Sequence, residues 1–382
     1  MTIPETMRAA VYHGRRDIRF EEVPVPSPGP GELLIEVGTV GVCGSDVGEW
    51  AHGPHQHPVD APHPATGHHG PIIPGHEFSG VVVGLGEGVD ERWRGSSIAS
   101  CGSVACGRCP ACLRGETNLC RSYAGVGLHR DGALAGYVTA PIECCLALDE
   151  AGVSLDEAAL VQPMSIAVHN VARAGDVDGQ TVLLQGVGGI GAFLVCALVD
   201  AGARVVATDR DAERLAIATQ LGAHETVLVT GDAVADREGI VAAVGDDELR
   251  VVFEVSGSRP GVLSALDLAP RGSRIVLVGI QKAPVEIDLA RFTLDEKVLI
   301  GTNALVRETD FPRALALIAS RRDWEVIAPR VVPLEQLVDE ALLPMSEGRP
   351  RAVKTLIDPR AVAARSLVGR EESPAFSPAV AD

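Results

Sequence analysis

The sequence predicts an α/β chain of two domains, an irregular β-rich domain followed by a doubly wound parallel sheet. Three observations carry that expectation. From residue 181 to residue 278 apolar strand-like runs alternate with helical runs, the pattern of a parallel sheet covered on both faces. Before them, short β-rich runs are broken by Pro and Gly clusters such as Pro24-Val-Pro-Ser-Pro-Gly-Pro-Gly31. Between the two lies Cys106-Gly-Arg-Cys-Pro-Ala-Cys-Leu-Arg-Gly-Glu-Thr-Asn-Leu-Cys120, four thiols in fifteen residues.

Taken in order, the runs 8–12, 33–40 and 80–83 read as strands of the first domain, expected over residues 1–160. Within it, Cys106, Cys109, Cys112 and Cys120 have the spacing of a closed tetrahedral zinc cage, in a Gly- and Pro-rich lobe (101–120) that lacks the apolar side chains to fold alone. Such a site leaves no coordination position for a substrate, so the lobe is scaffold. Four unliganded reduced thiols are the plain alternative.

The second domain, expected over 161–300, opens on Thr181-Val-Leu-Leu-Gln-Gly-Val-Gly-Gly-Ile-Gly191, an apolar strand running into glycines and then a helix. In that context the glycines are a dinucleotide fingerprint. Gly186 permits the tight turn, Gly188 lets backbone N–H groups approach a pyrophosphate, and Gly191 lets helix and strand pack closely, with Gly189 and Ile190 in the same loop. A second strand, 204–208, ends at Asp209, where a carboxylate can accept from a ribose diol. Asp209 therefore favours NAD over NADP, with Arg210 and Arg214 beside it among the cofactor-binding candidates. Asp209 can also cap the following helix. Helices over 212–221, 233–244 and 261–268 alternate with strands over 225–229, 250–255 and 273–278. The strand ends Ser256-Gly257 and Gly279-Ile280 then lie on the carboxyl edge of the sheet, near the nicotinamide half of the cofactor. After residue 301 helices are expected over 311–320 and 334–342, and a strand over 353–357 that returns to the first domain. Residues 361–382 lack apolar periodicity and are expected to be disordered.

Composition bounds the function. Nine clustered cysteines in 382 residues do not make a secreted disulfide scaffold. No apolar stretch reaches the roughly 20 residues of a membrane span and no signal-like segment opens the chain, so the cytoplasm is expected. A net charge of −18 opposes nucleic acid and anionic membranes as partners.

Chemistry-bearing residues gather in two short motifs. Gly41-Val-Cys-Gly-Ser-Asp46 brings a thiolate, a hydroxyl and a carboxylate together, and Gly75-His-Glu77 adds an imidazole and a second carboxylate. Cys43, His76 and Glu77 can hold a zinc with an open position. In this order, with the four-cysteine lobe and the glycine fingerprint, the chain from Met7 to about Pro359 resembles the zinc-dependent medium-chain alcohol dehydrogenases. Cys43-Gly-Ser-Asp, the insert 50–70 with Pro62-His-Pro-Ala-Thr-Gly67, and Pro74-Gly-His-Glu-Phe-Ser-Gly80 make it most similar to the 2,3-butanediol and sorbitol dehydrogenase branch. The resemblance implies a GroES-like catalytic domain, a Rossmann domain, one catalytic and one structural zinc, NAD, and a homodimer or homotetramer. It implies reversible hydride transfer between a secondary alcohol and NAD. Cys43, His76 and Glu77 then hold the metal, Ser45 relays the alcohol proton, and Asp46 orients the His76 ring.

Two residues depart from the family pattern. Gln162 stands where this branch usually carries Glu, so the site loses a negative charge, although a Gln carbonyl can still ligate zinc or bond its water. Gly48 stands where the family often places a proton-shuttling histidine; His52 or water is left to do that work. Six of the eleven histidines (His52, His55, His57, His63, His68 and His69) fall in the insert, which reads as a solvent-exposed loop rather than a third metal site. His169, Cys144, Cys145 and Cys196 lie in apolar runs and read as core. The expected reaction is oxidation of a vicinal diol or related secondary alcohol, with 2,3-butanediol and acetoin the leading pair and a small-molecule alcohol or ketone as the substrate partner. The alternatives are a polyol or sugar dehydrogenase of the sorbitol or threonine type, and a nucleotide-binding protein that has lost turnover.

Overall fold

The computed structural model describes residues 3–148 and 151–369. The chain divides into two units, Met1–Gln162 with Val306–Asp382, and Pro163–Leu305.

The first unit is built on Glu32–Gly41, a strand buried at almost every position. Its run Leu33-Leu-Ile-Glu-Val-Gly-Thr-Val40 is therefore nearly continuous in apolar character, as a strand covered on both faces requires. An eight-stranded mixed sheet surrounds it. Glu77–Leu85 and Tyr137–Pro141 both pair with it antiparallel, and Ser97–Ser100 and Cys145–Ala147 extend the sheet beyond Glu77–Leu85. Leu33, Ile35, Val37, Val40, Phe78, Ile98 and Val138 form its packed interior. On its other side Leu356–Asp358 joins the sheet by pairing Leu356 with Gly41, with Arg330–Pro333 and Arg365–Ser366 beyond it, so the late return of the chain sits against the end of the first long strand. Gly41 is also paired with Glu77. The register thus gathers the start of one motif, the end of the other and the return strand at one sheet corner.

The second unit holds a six-stranded parallel sheet in the order Glu225–Leu228, Arg204–Asp209, Thr181–Gln185, Leu249–Glu254, Arg274–Leu277, Val298–Gly301. Its order reverses beside Thr181–Gln185, the switch point at which open α/β sheets bind ligands at their carboxyl ends. Leu183, Val206, Val252 and Ile275 form part of its core with Ile240 and Ala265 from covering helices. The helix Gly189–Asp200 is apolar nearly all round because it is buried nearly all round. No helix among the described residues is long and apolar enough to cross a membrane.

Three expectations change. Residues 334–342 do not make one helix; they form a 3₁₀ turn (Leu334–Gln336) and a π-helical turn (Val338–Leu342) before a short helix, Leu343–Ser346. Pro344 lacks the N–H that a regular i→i−4 ladder needs there. The chain beyond 360 is ordered further than composition implies: Arg365–Ser366 pairs with Arg330–Pro333, Arg365 bonds the buried Asp156, and the Val368 N–H donates to Asp156 at 2.8 Å. One arginine facing a buried carboxylate anchors this segment without any apolar pattern. The expected disorder of 370–382 falls outside the described residues. The insert is not wholly exposed either: His57 is 4% exposed, its Nδ1 3.0 Å from the Leu128 carbonyl and its ring edge-on to Tyr12.

Candidate active site

The corner where Gly41, Glu77 and Leu356 meet explains how distant residues converge. Cys43 follows Gly41 by two positions and caps the helix Gly44–His52; Asp46, in its first turn, reaches back to accept the Cys43 N–H at 2.8 Å. His76 and Glu77 enter from the neighbouring strand. A ligand atom from each of Cys43, His76 and Glu77 lies within 4.8 Å of the others, with His76 and Glu77 buried. A side chain at Gly41 would strike the Glu77 carboxylate, so the glycine there is a condition of the cluster.

The two faces of the His76 ring have different neighbours. Nε2 is 3.3 Å from the Ser45 hydroxyl, and Nδ1 is 3.6 Å from Asp46 Oδ1. Among the described residues neither Nδ1 nor Asp46 Oδ1 has a hydrogen-bond partner. Burial works against a charged His76, yet Asp46 and Cys43 outweigh it and hold the imidazole well above its usual value. Asp46 is correspondingly held below the usual carboxylate range, because His76 and the Cys43 N–H outweigh its burial.

A fourth group completes this corner, and sequence reasoning missed it. Lys354 is 4% exposed and donates to both oxygens of Glu77, at 3.0 and 2.7 Å, and to the Val42 carbonyl at 3.2 Å. Burial lowers its affinity for a proton, but Glu77 and Cys43 raise it further, so the ammonium stays charged. The available signal was a lone cation inside the apolar run 353–357, two positions before the strand that pairs with Gly41. The Cys43 sulfur, the His76 ring and the Glu77 carboxylate thus converge beside this one ammonium. The donor set of one sulfur, one nitrogen and one oxygen suits zinc.

Gln162 is buried near the start of the helix Val161–Ala174. Gly48 has open space around it, and His52 is exposed at the end of its helix. His169, Cys144, Cys145 and Cys196 are all buried.

In the lobe, Cys106, Cys109, Cys112 and Cys120 form the second group whose ligand atoms fall within 4.8 Å. The sulfurs of Cys109 and Cys112 are 3.5 Å apart, and Cys120 accepts N–H bonds from Cys106 and Ser122 at 3.2 and 3.3 Å. Backbone N–H groups of Cys112 and Arg121 lower the Cys109 thiol to about 6, whereas burial, and then hydrogen bonding with the Cys109 and Cys120 sulfurs, pushes Cys112 to about 12. Four sulfurs at this separation suit a tetrahedral metal. No third group of this kind occurs among the described residues, so the insert histidines are not gathered into one.

In the second unit Gly186 has φ of 104°, and a side chain at Gly191 would strike the Gly186 carbonyl. Gly188 caps the helix that starts at Gly189 and carries Ile190 in its first turn. Asp209 ends its strand with both oxygens turned to backbone: Oδ2 accepts the Val187 N–H of the glycine loop at 2.7 Å and Oδ1 the Asp211 N–H at 3.1 Å. The helix-capping role falls to Asp211 instead. Arg214 comes within 3.9 Å of Asp209, while Arg210 is exposed. Ser256 and Gly279 lie in adjacent strand-end turns of the same edge.

Residues 29–150 match the alcohol dehydrogenase GroES-like domain, and residues 189–320 match the zinc-binding dehydrogenase domain. The 2-dehydro-3-deoxy-L-galactonate 5-dehydrogenase of Pseudoalteromonas atlantica is 32% identical over 353 residues, 92% of this chain and 98% of that protein. The sorbitol dehydrogenase of Bacillus subtilis is 33% identical over 282 residues, 73% and 76% of the two chains. The crystal structure of 2R,3R-butanediol dehydrogenase from Bacillus subtilis has a TM-score of 0.83 at 30% identity and covers 93% of this chain and 100% of that one. Both domain models, and relatives matched along most of their length, establish that the chain belongs to the zinc-dependent medium-chain alcohol dehydrogenases.

Proposed function

We propose that the protein catalyses reversible oxidation of a secondary hydroxyl that has a second polar group on the adjacent carbon, with NAD as the hydride acceptor. A polyol, a polyhydroxy acid or a small vicinal diol such as 2,3-butanediol meets that description. The observation that carries the reading is the Cys43, His76 and Glu77 cluster, with the Ser45 hydroxyl 3.3 Å from the His76 ring. The names of the relatives support the substrate class: galactonate, sorbitol, erythritol and butanediol dehydrogenases are named for compounds that carry such hydroxyls.

In the overall reaction the alcohol loses a hydride to NAD⁺ and a proton to solvent, giving a ketone, NADH and H⁺. Cys43, His76 and Glu77 would hold a zinc ion, with Gln162 as a further neutral donor, and Cys106, Cys109, Cys112 and Cys120 a structural one. When bound, the catalytic zinc supplies Lewis acidity that lowers the alcohol's pKa, and NAD supplies the hydride acceptor. The residues of the chain do the remaining work. Asp46 faces Nδ1 of His76, which favours the tautomer protonated there and leaves the Nε2 lone pair free. Ser45 Oγ accepts the substrate proton and passes its own onward. Gly48 has no side chain to receive it, so His52 or water carries the proton away. Lys354 holds the Glu77 carboxylate in place and offsets its charge. Gly186, Gly188, Gly189, Ile190 and Gly191 receive the pyrophosphate, and Asp209 accepts from the adenosine ribose and repels a 2′-phosphate. The enzyme is cytoplasmic and assembles as a homodimer or homotetramer through the edge strand Val298–Gly301, where Val298 and Leu299 are 48% and 39% exposed.

The test is reduction of the cofactor at 340 nm by zinc-loaded protein, with butanediol stereoisomers, sorbitol, erythritol, L-galactonate and L-threonine, each with NAD and with NADP. Turnover of one or a few of these with NAD is expected. NADH binding without turnover on the whole panel would replace the reading with a nucleotide-binding protein. Preference for NADP would overturn the role of Asp209.

A further inference from the structure

We infer that Glu254, with Gln281, is a positioning residue that sets the two strand-end turns against which the nicotinamide half of the cofactor docks. This rests on the dinucleotide reading proposed above. Glu254 ends the strand Leu249–Glu254 and is 0% exposed. A fully buried carboxylate at the tip of a central parallel strand is costly unless its oxygens are bonded. Its Oε1 accepts from the Ser256 hydroxyl, and its Oε2 accepts the Gly257 N–H at 3.3 Å and the Gln281 side-chain amide at 3.1 Å. Its main-chain carbonyl takes the N–H groups of Val278 and Gly279, both at 2.9 Å. One residue therefore ties turn 256–258 to turn 278–281 through five hydrogen bonds.

The two turns touch backbone to backbone. A Cβ at Gly279 would collide with Gly257, and Gly257 itself has φ of 62° with the Ile280 carbonyl close by. The first turn also abuts the glycine loop: a Cβ at Gly186 would lie 3.1 Å from the Ser256 N. A carboxylate is the group this junction needs, because it accepts three donors on two oxygens. A glutamine of equal shape offers one accepting oxygen and turns an NH₂ group toward either the Ser256 hydroxyl or the donors of Gly257 and Gln281. Burial raises the Glu254 pKa more than the surrounding hydrogen bonds lower it, which agrees with a group held by geometry rather than by a cation. The bonds of the Glu254 side chain go to Ser256, Gly257 and Gln281 and none to the glycine loop 186–191, so the nicotinamide half should feel its replacement more than the adenosine and pyrophosphate sites do.

The experiment compares E254Q and Q281L with the wild type and with D247A. Asp247 bonds Thr181 at the opposite end of the same strands and serves as the control for general loosening of the sheet. Binding of NADH and of ADP-ribose, which lacks the nicotinamide, is measured by calorimetry, together with KM for NAD and for the alcohol. E254Q is expected to weaken NADH about tenfold and leave ADP-ribose within twofold, with KM rising for NAD and not for the alcohol; Q281L should show a smaller loss of the same pattern. Equal loss for both ligands, or no loss for either, overturns the inference. If the wild type binds neither ligand, the failure lies with the dinucleotide reading itself. If E254Q does not fold, Q281L alone decides, by the same ratio of NADH to ADP-ribose affinity.

Discussion

Replacing Lys354 with methionine tests the electrostatics of the catalytic corner. The side chain keeps nearly the same length but loses the ammonium that bonds Glu77 at 2.7 and 3.0 Å. Both partners are buried, at 4% and 1% exposure, so breaking the pair strands a carboxylate away from water, which costs about 3–5 kcal/mol in comparable buried pairs. The metal-free K354M protein should therefore unfold well below the wild type. Zinc binding should change in the opposite direction. A cation held by Glu77 would sit close to that ammonium, and repulsion between two unit charges about 5 Å apart is worth about 3 kcal/mol at an effective dielectric of 20, a floor for a divalent ion. Removing it should tighten zinc at this site by about a hundredfold. The assays are thermal unfolding after chelation, and zinc competition against a chromophoric chelator with the four-cysteine lobe left loaded. Expected is a large deficit in stability without metal that zinc restores. Equal unfolding of the two metal-free proteins, together with equal zinc affinity, would refute the charge argument.

Three further outcomes follow from other parts of the molecule. His129 is 9% exposed, accepts the Gly125 N–H at Nδ1 (2.9 Å), stacks on His63 at 4.3 Å, and is lowered to about 4 by burial and then by His63. Its folded value lies below its unfolded 6.5, so the unfolded chain takes up the proton first. Stability is thus complete above pH 6.5 and falls by about 3 kcal/mol as pH drops toward 4; H129N, measured by denaturant titration across that range, should flatten the slope. C112S should lower zinc from about two to about one per chain, by elemental analysis, and expose the segment 101–120 to limited proteolysis while the parallel sheet of the second unit stays resistant. If Gln162 is a further zinc donor as proposed, Q162E adds a negative charge to that site, so the midpoint of the pH–rate profile for alcohol oxidation should rise by about one unit; an unmoved midpoint would place Gln162 outside the site's electrostatics.

Local chemistry made much of this protein legible before any coordinates. Cys106, Cys109, Cys112 and Cys120 are close in sequence, so their spacing alone points to a lobe that can hold a metal. Gly186, Gly188 and Gly191 declare a turn whose requirements are local, and Asp209 follows at the distance that one helix and one strand impose. The β-rich first part and the alternating second part were readable because strand and helix periodicities differ. Convergence across long stretches of chain was not readable in the same way. Cys43, His76 and Glu77 could be offered as metal ligands from residue type, but spacing along the chain could not bring them together, and it took the register Gly41↔Glu77 and Leu356↔Gly41 to bring Lys354 to the same corner. Glu254 looked like an ordinary strand residue until its neighbours in space appeared as Ser256, Gly257 and Gln281. Arg365 looked like part of an unstructured tail until it met Asp156. The sequence by itself determined the domain types and the local metal and phosphate motifs, because spacing along the chain expresses them. Only the tertiary structure decided which buried charges face one another, because partners hundreds of residues apart are selected by strand register and packing, which leave no periodic trace.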